Sequence, residues 1–177
     1  MPILRREEGG GPSPPRNADP PLVLFLCSTN TTNSILAEAI LRHLSMARVR
    51  AASAGEIPFQ HVHPFALECL HVHGIPTAGL RTKMWGQFFG LDRPPVRFLI
   101  ALCDHYAAKA HWQEDTLIEQ WHMPDPGEVM GSDTEVRLAF EEAFAALDRR
   151  IRQLLALPLE TLDTTVLAQE LQRIGET

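Results

Sequence analysis

A cysteine at the end of an apolar run is the residue of this chain best placed to do chemistry. The run Leu22–Leu26 is entirely apolar, Cys27 follows it, and small polar residues fill every position from 28 to 34. An amphipathic helix then begins, so the thiol stands where loop N–H groups and a helix N-terminus offer positive potential. We expect an oxyanion to bind there and the pKa of Cys27 to be lowered, because both features favour the thiolate. The alternative is a buried strand-end cysteine with no chemical role.

The elements that must position this cysteine alternate between strands and helices. Strands are predicted at Leu22–Leu26, Arg48–Ser53 and Val96–Cys103. Helices are predicted from Ser34 to about Ala47, from Pro64 to about His73, from a capping box at Ser132 and Glu135 onward, and from Asp163 or Thr164 to about Arg173. Residues 104–131 are expected to form a loop around a helical piece. This alternation predicts a parallel α/β sheet, whose ligands bind at the carboxyl ends of the strands, where Cys27 lies.

Composition limits the classes of partner. The 177 residues carry 16 basic and 22 acidic side chains, and the net charge of −6 without a basic cluster argues against nucleic acid or an acidic membrane. The apolar runs are much shorter than a membrane span. Three widely spaced cysteines fit a reducing cytosol, so a cytoplasmic location is expected. Residues 1–20, rich in Gly, Pro and charge, predict a disordered leader without a signal peptide, and residues 21–177 predict one domain.

Several ordered motifs resemble one protein superfamily. The segment Leu22–Leu41 resembles the phosphate loop of low-molecular-weight protein tyrosine phosphatases and, still more closely, that of thioredoxin-coupled arsenate reductases. Further matches follow in the same order at ASAG (52–55), PFALE (64–68), GLRTK (79–83) with Trp85, LCD (102–104), WHMPDP (121–126), GSD (131–133) and LALPLETLD (155–163). The resemblance implies a three-layer α/β/α fold with a central, mostly parallel four-stranded sheet.

The resemblance also assigns roles, because the family's loop reads Cys-x5-Arg-Ser. Cys27 then corresponds to the nucleophile, Ser34 to the hydrogen-bond partner of its sulfur, and Asp125 to the general acid that protonates the leaving oxygen. Asp125 is alternatively a solvated turn residue. The implied oxyanion-binding loop consists of Ser28, Thr29, Asn30, Thr31, Thr32 and Asn33, with Asn30 as its brace.

Asn33 stands where the family has its loop arginine. Arginine offers a charged fork of donors that matches an oxyanion, whereas asparagine offers one neutral amide. Loss of two charge-assisted hydrogen bonds of about 1.5–3 kcal/mol each lowers the rate by a factor on the order of 10²–10⁴. We therefore expect an impaired protein, a pseudoenzyme candidate, that retains weak anion binding. Whether Arg81 supplies the missing positive charge stays open. Arg42 should lie roughly 12 Å along the helix axis from Ser34, beyond easy reach of the loop.

Cys103 matches the second redox cysteine of the arsenate reductases, and a buried strand-end thiol is the alternative. The positions of their third cysteine hold Ala110 and His111. If the protein turns over, the resemblance implies arsenate reduction in arsenic detoxification through a Cys27–Cys103 disulfide, with glutathione, glutaredoxin or thioredoxin as reductant. It equally allows hydrolysis of a phosphomonoester or phosphotyrosine through a covalent Cys27 intermediate. The partners would be phosphate, arsenate, sulfate or a phosphoprotein; a protein-interaction module is a third hypothesis.

A possible potassium site and a hydrophobic rim complete the sequence predictions, whereas a histidine metal site is not predicted. Some family members bind potassium, and Asn30, Glu38 and Ser53 match three of its ligand positions; alternatively, the loop backbone satisfies Glu38. The triplets His61–His63 and His71–His73 do not predict a metal site, because His63 should cap a helix and His71 and His73 point about 200° apart. No other cofactor is expected. Cys69 is predicted in the core, and a hydrophobic rim is predicted from Trp85, Phe88, Phe89, Trp112 and Trp121.

Overall fold

Four parallel strands form the sheet of this chain. The computed structural model describes residues 19–89, 93, 95–103, 112 and 115–177, so most of the predicted leader lies outside the described residues. The strands are β1 (Leu22–Cys27), β2 (Arg50–Gly55), β3 (Val96–Ala101) and β4 (Leu117–Gln120), in the spatial order β2-β1-β3-β4. Every neighbouring pair is parallel, which confirms the predicted α/β class.

Four helices pack with this sheet: α1 (Asn33–Leu44), α2 (Pro64–Val72), α3 (Asp133–Ala156) and α4 (Thr164–Gly175). They share one hydrophobic core with alternate residues of β1, among them Val23 and Phe25. The other β1 side chains face a second cluster, which the short 3-10 helix Trp85–Phe88 and Trp112 cover within the described residues. Because both faces of β1 are buried, its sequence is a continuous apolar run rather than an alternating one.

The helix ends follow the signals in the sequence. Ser132 and Glu135 form the predicted capping box at the start of α3, and the Asp163 carboxylate accepts from Thr165 N at 2.8 Å at the start of α4. The His63 ring caps α2 by accepting from Phe65 N at 3.2 Å. Gly74, which follows α2, has a φ of 68°, the left-handed conformation that glycine adopts without strain.

Several element boundaries and one side chain differ from the predictions. Helix α1 ends at Leu44 rather than Ala47, because Met46 and Ala47 adopt positive φ angles of 47° and 65°. The strand expected at Arg48–Ser53 lies at Arg50–Gly55, and that expected at Val96–Cys103 ends at Ala101. Trp121 does not belong to the hydrophobic rim: it is fully buried, and its indole N–H donates to Leu171 O at 2.9 Å.

Strand β4 was missing from the strands read off the sequence. Its four residues, LIEQ, are all half-buried and include two polar side chains, as befits an edge strand. Among the described strands it pairs with β3 alone, and Trp121 follows it directly. No described helix combines the length and apolar character that crossing a membrane requires.

Gly55 is the point where the sheet and the loop after β1 come closest. A Cβ on Gly55 would lie 2.8 Å from Ser28 O and 3.0 Å from Asn30 N, both backbone atoms that cannot yield cheaply. We predict that Gly55→Ala lowers the free energy of unfolding by about 1–3 kcal/mol, measured by urea titration. Gly86→Ala is the matched control, since the nearest atom to its Cβ is a flexible Met84 carbon at 3.9 Å. Equal effects of the two substitutions would contradict the close approach.

Candidate active site

The loop between β1 and α1 is held from outside by the chain that follows β2. The carbonyls of Ser28, Thr29 and Thr31 accept from the backbone N–H groups of Ile57, Phe59 and His63, at 2.9, 3.0 and 3.0 Å, respectively. With these carbonyls turned outward, loop N–H groups turn toward the interior of the loop, where Asn30 N lies 3.2 Å from Cys27 Sγ. This arrangement is the backbone nest that favours an anion.

Asn30 braces this loop through its side-chain amide. Its backbone takes the left-handed conformation, with a φ of 54°, which asparagine adopts more readily than most residues. The amide nitrogen donates to Ser34 Oγ at 2.9 Å and to Ser53 Oγ at 2.8 Å. The amide oxygen accepts from Lys83 N at 2.7 Å. Asn30 thus connects the loop to β2 and to the segment around Lys83, the geometry expected of the brace predicted from the sequence.

The Cys27 thiol lies at the centre of the loop, 9% exposed. Its Sγ is 2.9 Å from the Ser34 hydroxyl, which is free to donate because Asn30 supplies the hydrogen that Ser34 Oγ accepts. Burial raises the pKa of Cys27, and the hydrogen bonds from Ser34 and Asn30 oppose that rise without reversing it. The expected lowering of the Cys27 pKa is therefore wrong. Desolvation outweighs the loop's dipoles.

A cavity of about 310 Å³ opens over the thiol. Its lining consists of Cys27, Ser28, Thr32, Asn33, Leu102, Cys103, His122, Met123, Pro124, Asp125 and Glu128. Two carboxylates therefore face the cavity, while no lysine or arginine belongs to this set of described residues. Arg81 is not among the lining residues, and Arg42 pairs with Glu38 instead. Neither arginine takes the place of the family's loop arginine.

Asn33 is the first residue of α1, and its side chain contacts the segment around Pro124, which also lines the cavity. Its amide nitrogen donates to Pro124 O at 2.8 Å, and its amide oxygen is buried without a hydrogen-bond partner. One of the two hydrogens on this amide nitrogen is thus engaged with the protein, which leaves one neutral donor at most for an oxyanion. Thr32 Oγ1 beside it is also buried and unpartnered, and its hydroxyl can donate to a ligand. No local pattern indicates the Asn33–Pro124 contact, because the two residues lie 91 positions apart.

Asp125 comes to the same cavity, as the resemblance implied. Its Oδ1 accepts from Gly127 N at 2.9 Å and caps the short 3-10 helix Pro126–Glu128. A Cβ on Gly127 would lie 3.0 Å from Thr32 Cγ2, so this turn packs closely on the Cys27 loop. Glu128, which lines the cavity, and Gly127, which packs on the loop, are not among the residues predicted from the sequence. Their only signal was the neighbouring Pro124–Pro126 match.

Cys103 lies beside Cys27 at the end of the adjacent strand. It follows β3, is half-buried, and receives a hydrogen bond from Ser28 Oγ at 3.7 Å. Both thiols are free and line one cavity. Ala110 and His111, at the positions of the third family cysteine, lie outside the described residues. The structure thus brings together Cys27, Ser34, Cys103 and Asp125, while their chemical roles stay predictions.

The expected monovalent cation does not fit the residues proposed for it. Asn30 uses its only side-chain oxygen to accept from Lys83 N, and Ser53 donates its hydroxyl to Glu38. The Lys83 ammonium itself lies 3.0 Å from Glu38 Oε2 and 3.5 Å from Ser53 Oγ. Lys83 lies in the matched segment 79–83, but no sequence pattern predicts that its side chain contacts Glu38 and Ser53.

The remaining predictions concern the two histidine triplets and Cys69. His63 caps α2, and His73 forms a contact of 2.7 Å with Glu141 while its ring stacks on Phe144. Two of the four histidines in the triplets are thus engaged elsewhere. Cys69 is buried in the main core, as predicted. Burial and the nearby Glu141 raise the pKa of Cys69 to about 12.

Comparisons with known proteins agree with this geometry. A family model described as low molecular weight phosphotyrosine protein phosphatase matches residues 22–170. The glutaredoxin arsenate reductase of Synechocystis sp. is 26% identical over 135 residues, which cover 76% of this chain and 95% of that protein. An arsenate reductase solved in the phosphate binding state has a TM-score of 0.64 at 23% identity, covering 77% of this chain and 97% of the other.

A second solved structure is similar over a smaller part of its own length. The thioredoxin-dependent arsenate reductase Cg_ArsC1' of Corynebacterium glutamicum has a TM-score of 0.58 at 23% identity, over 78% of this chain. This chain spans 62% of that protein. Likeness to these two structures confirms the fold.

The raised pKa of Cys27 predicts slow alkylation near neutral pH. The thiolate is the reactive form, so the rate of iodoacetamide labelling of the Cys27 peptide should rise with a midpoint above the value of about 8.5 for a free thiol. Mass spectrometry at each pH measures that rate, and the Cys69 peptide serves as an internal control that stays unlabelled over the same range. A midpoint below that of free cysteine would refute the dominance of burial.

Proposed function

Since this chain belongs to the low molecular weight phosphotyrosine protein phosphatase family, we propose that its Cys27 loop binds a small oxyanion weakly and that the family's catalysis is impaired. One observation carries the proposal: Asn33, at the arginine position, is uncharged and donates one of its two amide hydrogens to Pro124 O at 2.8 Å. Among its described lining residues, the cavity therefore has no charged fork to hold a tetrahedral anion.

Charge in the cavity supports the same proposal. Asp125 and Glu128 both line it, and a dianionic phosphate or arsenate approaching Cys27 meets their field without a compensating lysine or arginine among the described lining residues. In family members with arginine, that side chain would cancel most of this repulsion. The loss amounts to several kcal/mol of transition-state stabilisation, or on the order of 10²–10⁴ in rate.

The parts that remain explain why weak anion binding should persist. The nest of loop N–H groups, the positive end of α1 and the unpartnered Thr32 hydroxyl all serve an oxyanion without any charged side chain. The similar arsenate reductase in the phosphate binding state supports phosphate as a ligand for this loop. Phosphate, arsenate and sulfate share the tetrahedral shape that such a nest accepts.

The position of Cys103 favours arsenate reduction over ester hydrolysis for any residual chemistry. Cys27 would attack arsenic, forming an S–As bond while an oxygen protonated by Asp125 leaves as water. Cys103 would then attack Cys27 Sγ, so that the S–S bond forms, the S–As bond breaks and its electron pair reduces arsenic from the pentavalent to the trivalent state. Glutathione, or a glutaredoxin such as the Synechocystis relative's name indicates, would reduce the disulfide.

Restoring the arginine tests the proposal. Asn33→Arg should raise arsenate reduction, with glutathione and glutaredoxin supplied, and p-nitrophenyl phosphate hydrolysis by about 10²-fold or more over a near-background native protein. The gain is expected because the guanidinium both binds the oxyanion and offsets Asp125 and Glu128. Initial rates measured for both substrates give the ratio.

Asn33→Gln is the matched control, since it changes length without adding charge and should stay near background. Cys27→Ser in the Asn33→Arg protein should abolish the gain, which shows that the activity passes through the thiol. Robust turnover by the native chain would overturn the proposal of impairment.

The thiol pair makes a separate prediction. Incubation with arsenate, without reductant, should produce a Cys27–Cys103 disulfide, seen by mass spectrometry of non-reduced peptides. Cys69→Ser should leave that link intact, because Cys69 lies in the core away from the cavity. Cys103→Ser should remove it. If arsenate leaves both thiols free even in the Asn33→Arg protein, the two cysteines do not form a redox pair.

A further inference from the structure

A buried carboxylate lies behind the Cys27 loop and needs a positive partner. Glu38 belongs to α1 and is 2% exposed. An unpaired buried carboxylate is costly, so such a group binds a cation or loses its charge. One of its oxygens contacts the Arg42 guanidinium, and the other contacts both the Ser53 hydroxyl and the Lys83 ammonium.

The Lys83 ammonium is enclosed as a bound ion would be. Three oxygens surround its Nζ: Arg81 O at 2.7 Å, Glu38 Oε2 at 3.0 Å and Ser53 Oγ at 3.5 Å. Lys83 is only 8% exposed. An ammonium has three hydrogens to donate, which matches this set of acceptors in number. A carboxylate, a carbonyl and a hydroxyl are also the oxygen ligands that hard metal cations take.

The same residue is connected to the thiol through three hydrogen bonds. The Lys83 backbone N–H donates to Asn30 Oδ1, the Asn30 amide donates to Ser34 Oγ, and the Ser34 hydroxyl lies 2.9 Å from Cys27 Sγ. The Lys83 carbonyl accepts from Gly55 N at 2.8 Å, at the point where the sheet meets the loop. Displacement of Lys83 would therefore disturb the brace as well as the charge balance.

We propose that the Lys83 ammonium is a built-in cation that replaces a dissociable potassium ion behind the Cys27 loop. The loop is then always in its cation-bound form, and its stability and anion binding do not respond to potassium. The Lys83 stem fixes the charge covalently, so no ion has to be recruited. Removal of that stem and charge would leave Glu38, Ser53 and the Arg81 carbonyl around an open, oxygen-lined position that a free monovalent cation can fill.

Thermal unfolding in different salts tests this assignment without any activity assay. At equal ionic strength, the native protein should have the same melting temperature in potassium chloride and in choline chloride, within about 1 °C. Lys83→Ala should melt lower in choline and regain several degrees in potassium or ammonium, since a ligand that binds only the folded state raises the melting temperature. Choline is too large for the position that the ammonium leaves.

Arg42→Ala is the matched control, because Arg42 is the other cation on Glu38 but its side chain is 44% exposed. That variant keeps Lys83 Nζ in place and should show no potassium-specific rise. If Lys83→Ala does not fold, Lys83→Gln, which keeps most of the stem but removes the charge, is compared with the native protein in the same salts. Purification of either variant only in the presence of potassium counts in favour of the proposal.

Two outcomes would overturn the proposal. A potassium-specific rise in the melting temperature of the native protein would show that a separate ion site exists. Loss of stability in the Lys83 variants with no recovery in potassium or ammonium would show that Lys83 merely packs there. The inference is separable from weak anion binding at Cys27, because inorganic phosphate titrated into the native protein reports on the front of the loop and potassium on its back.

Discussion

The distribution of charge around one loop governs this structure. Behind the loop, the buried Glu38 binds both Lys83 and Arg42, so two positive side chains are spent on a single internal carboxylate. In front of it, Asp125 and Glu128 line the cavity over Cys27. Burial then raises the pKa of the thiol, and no lysine or arginine among the described lining residues faces it to favour the thiolate. The loop is thus braced as an anion site while its cavity lacks the charge that would hold an anion tightly.

Shape and charge are separable in this fold. The conformation of the loop depends on backbone contacts to the segment after β2, on the left-handed Asn30 and on the close approach of Gly55, and none of these requires an arginine. A chain can therefore keep the architecture of the family and lose the residue that gives the cavity its affinity. Asn33 does more than leave the arginine position uncharged, because its hydrogen bond to Pro124 connects the loop to the turn that carries Asp125. This separation is the basis of the proposed function, in which the loop binds oxyanions but catalyses poorly.

The sequence predicted what depends on local pattern. The apolar run of β1, the cysteine at its end, the capping box of α3 and the helix cap by His63 all lie where they were expected, because neighbouring residues determine them. Strand β4 was missed because its polar, half-buried residues are positioned by pairing with β3. The Lys83–Glu38 and Asn33–Pro124 contacts join residues 45 and 91 positions apart, and no local pattern reports them. The predicted direction of the Cys27 pKa shift was wrong for the same reason, since the depth of burial is a property of the whole fold.

The most direct measurement of the central claim is the affinity of the native Cys27 loop for phosphate. Isothermal titration calorimetry at low and physiological ionic strength gives the dissociation constant and its salt dependence. A loop that relies on backbone dipoles alone should bind phosphate with a constant on the order of millimolar or weaker, equivalent to about 4 kcal/mol or less. Micromolar binding that weakens steeply with salt would contradict the account, because it would require a positive side chain in the cavity.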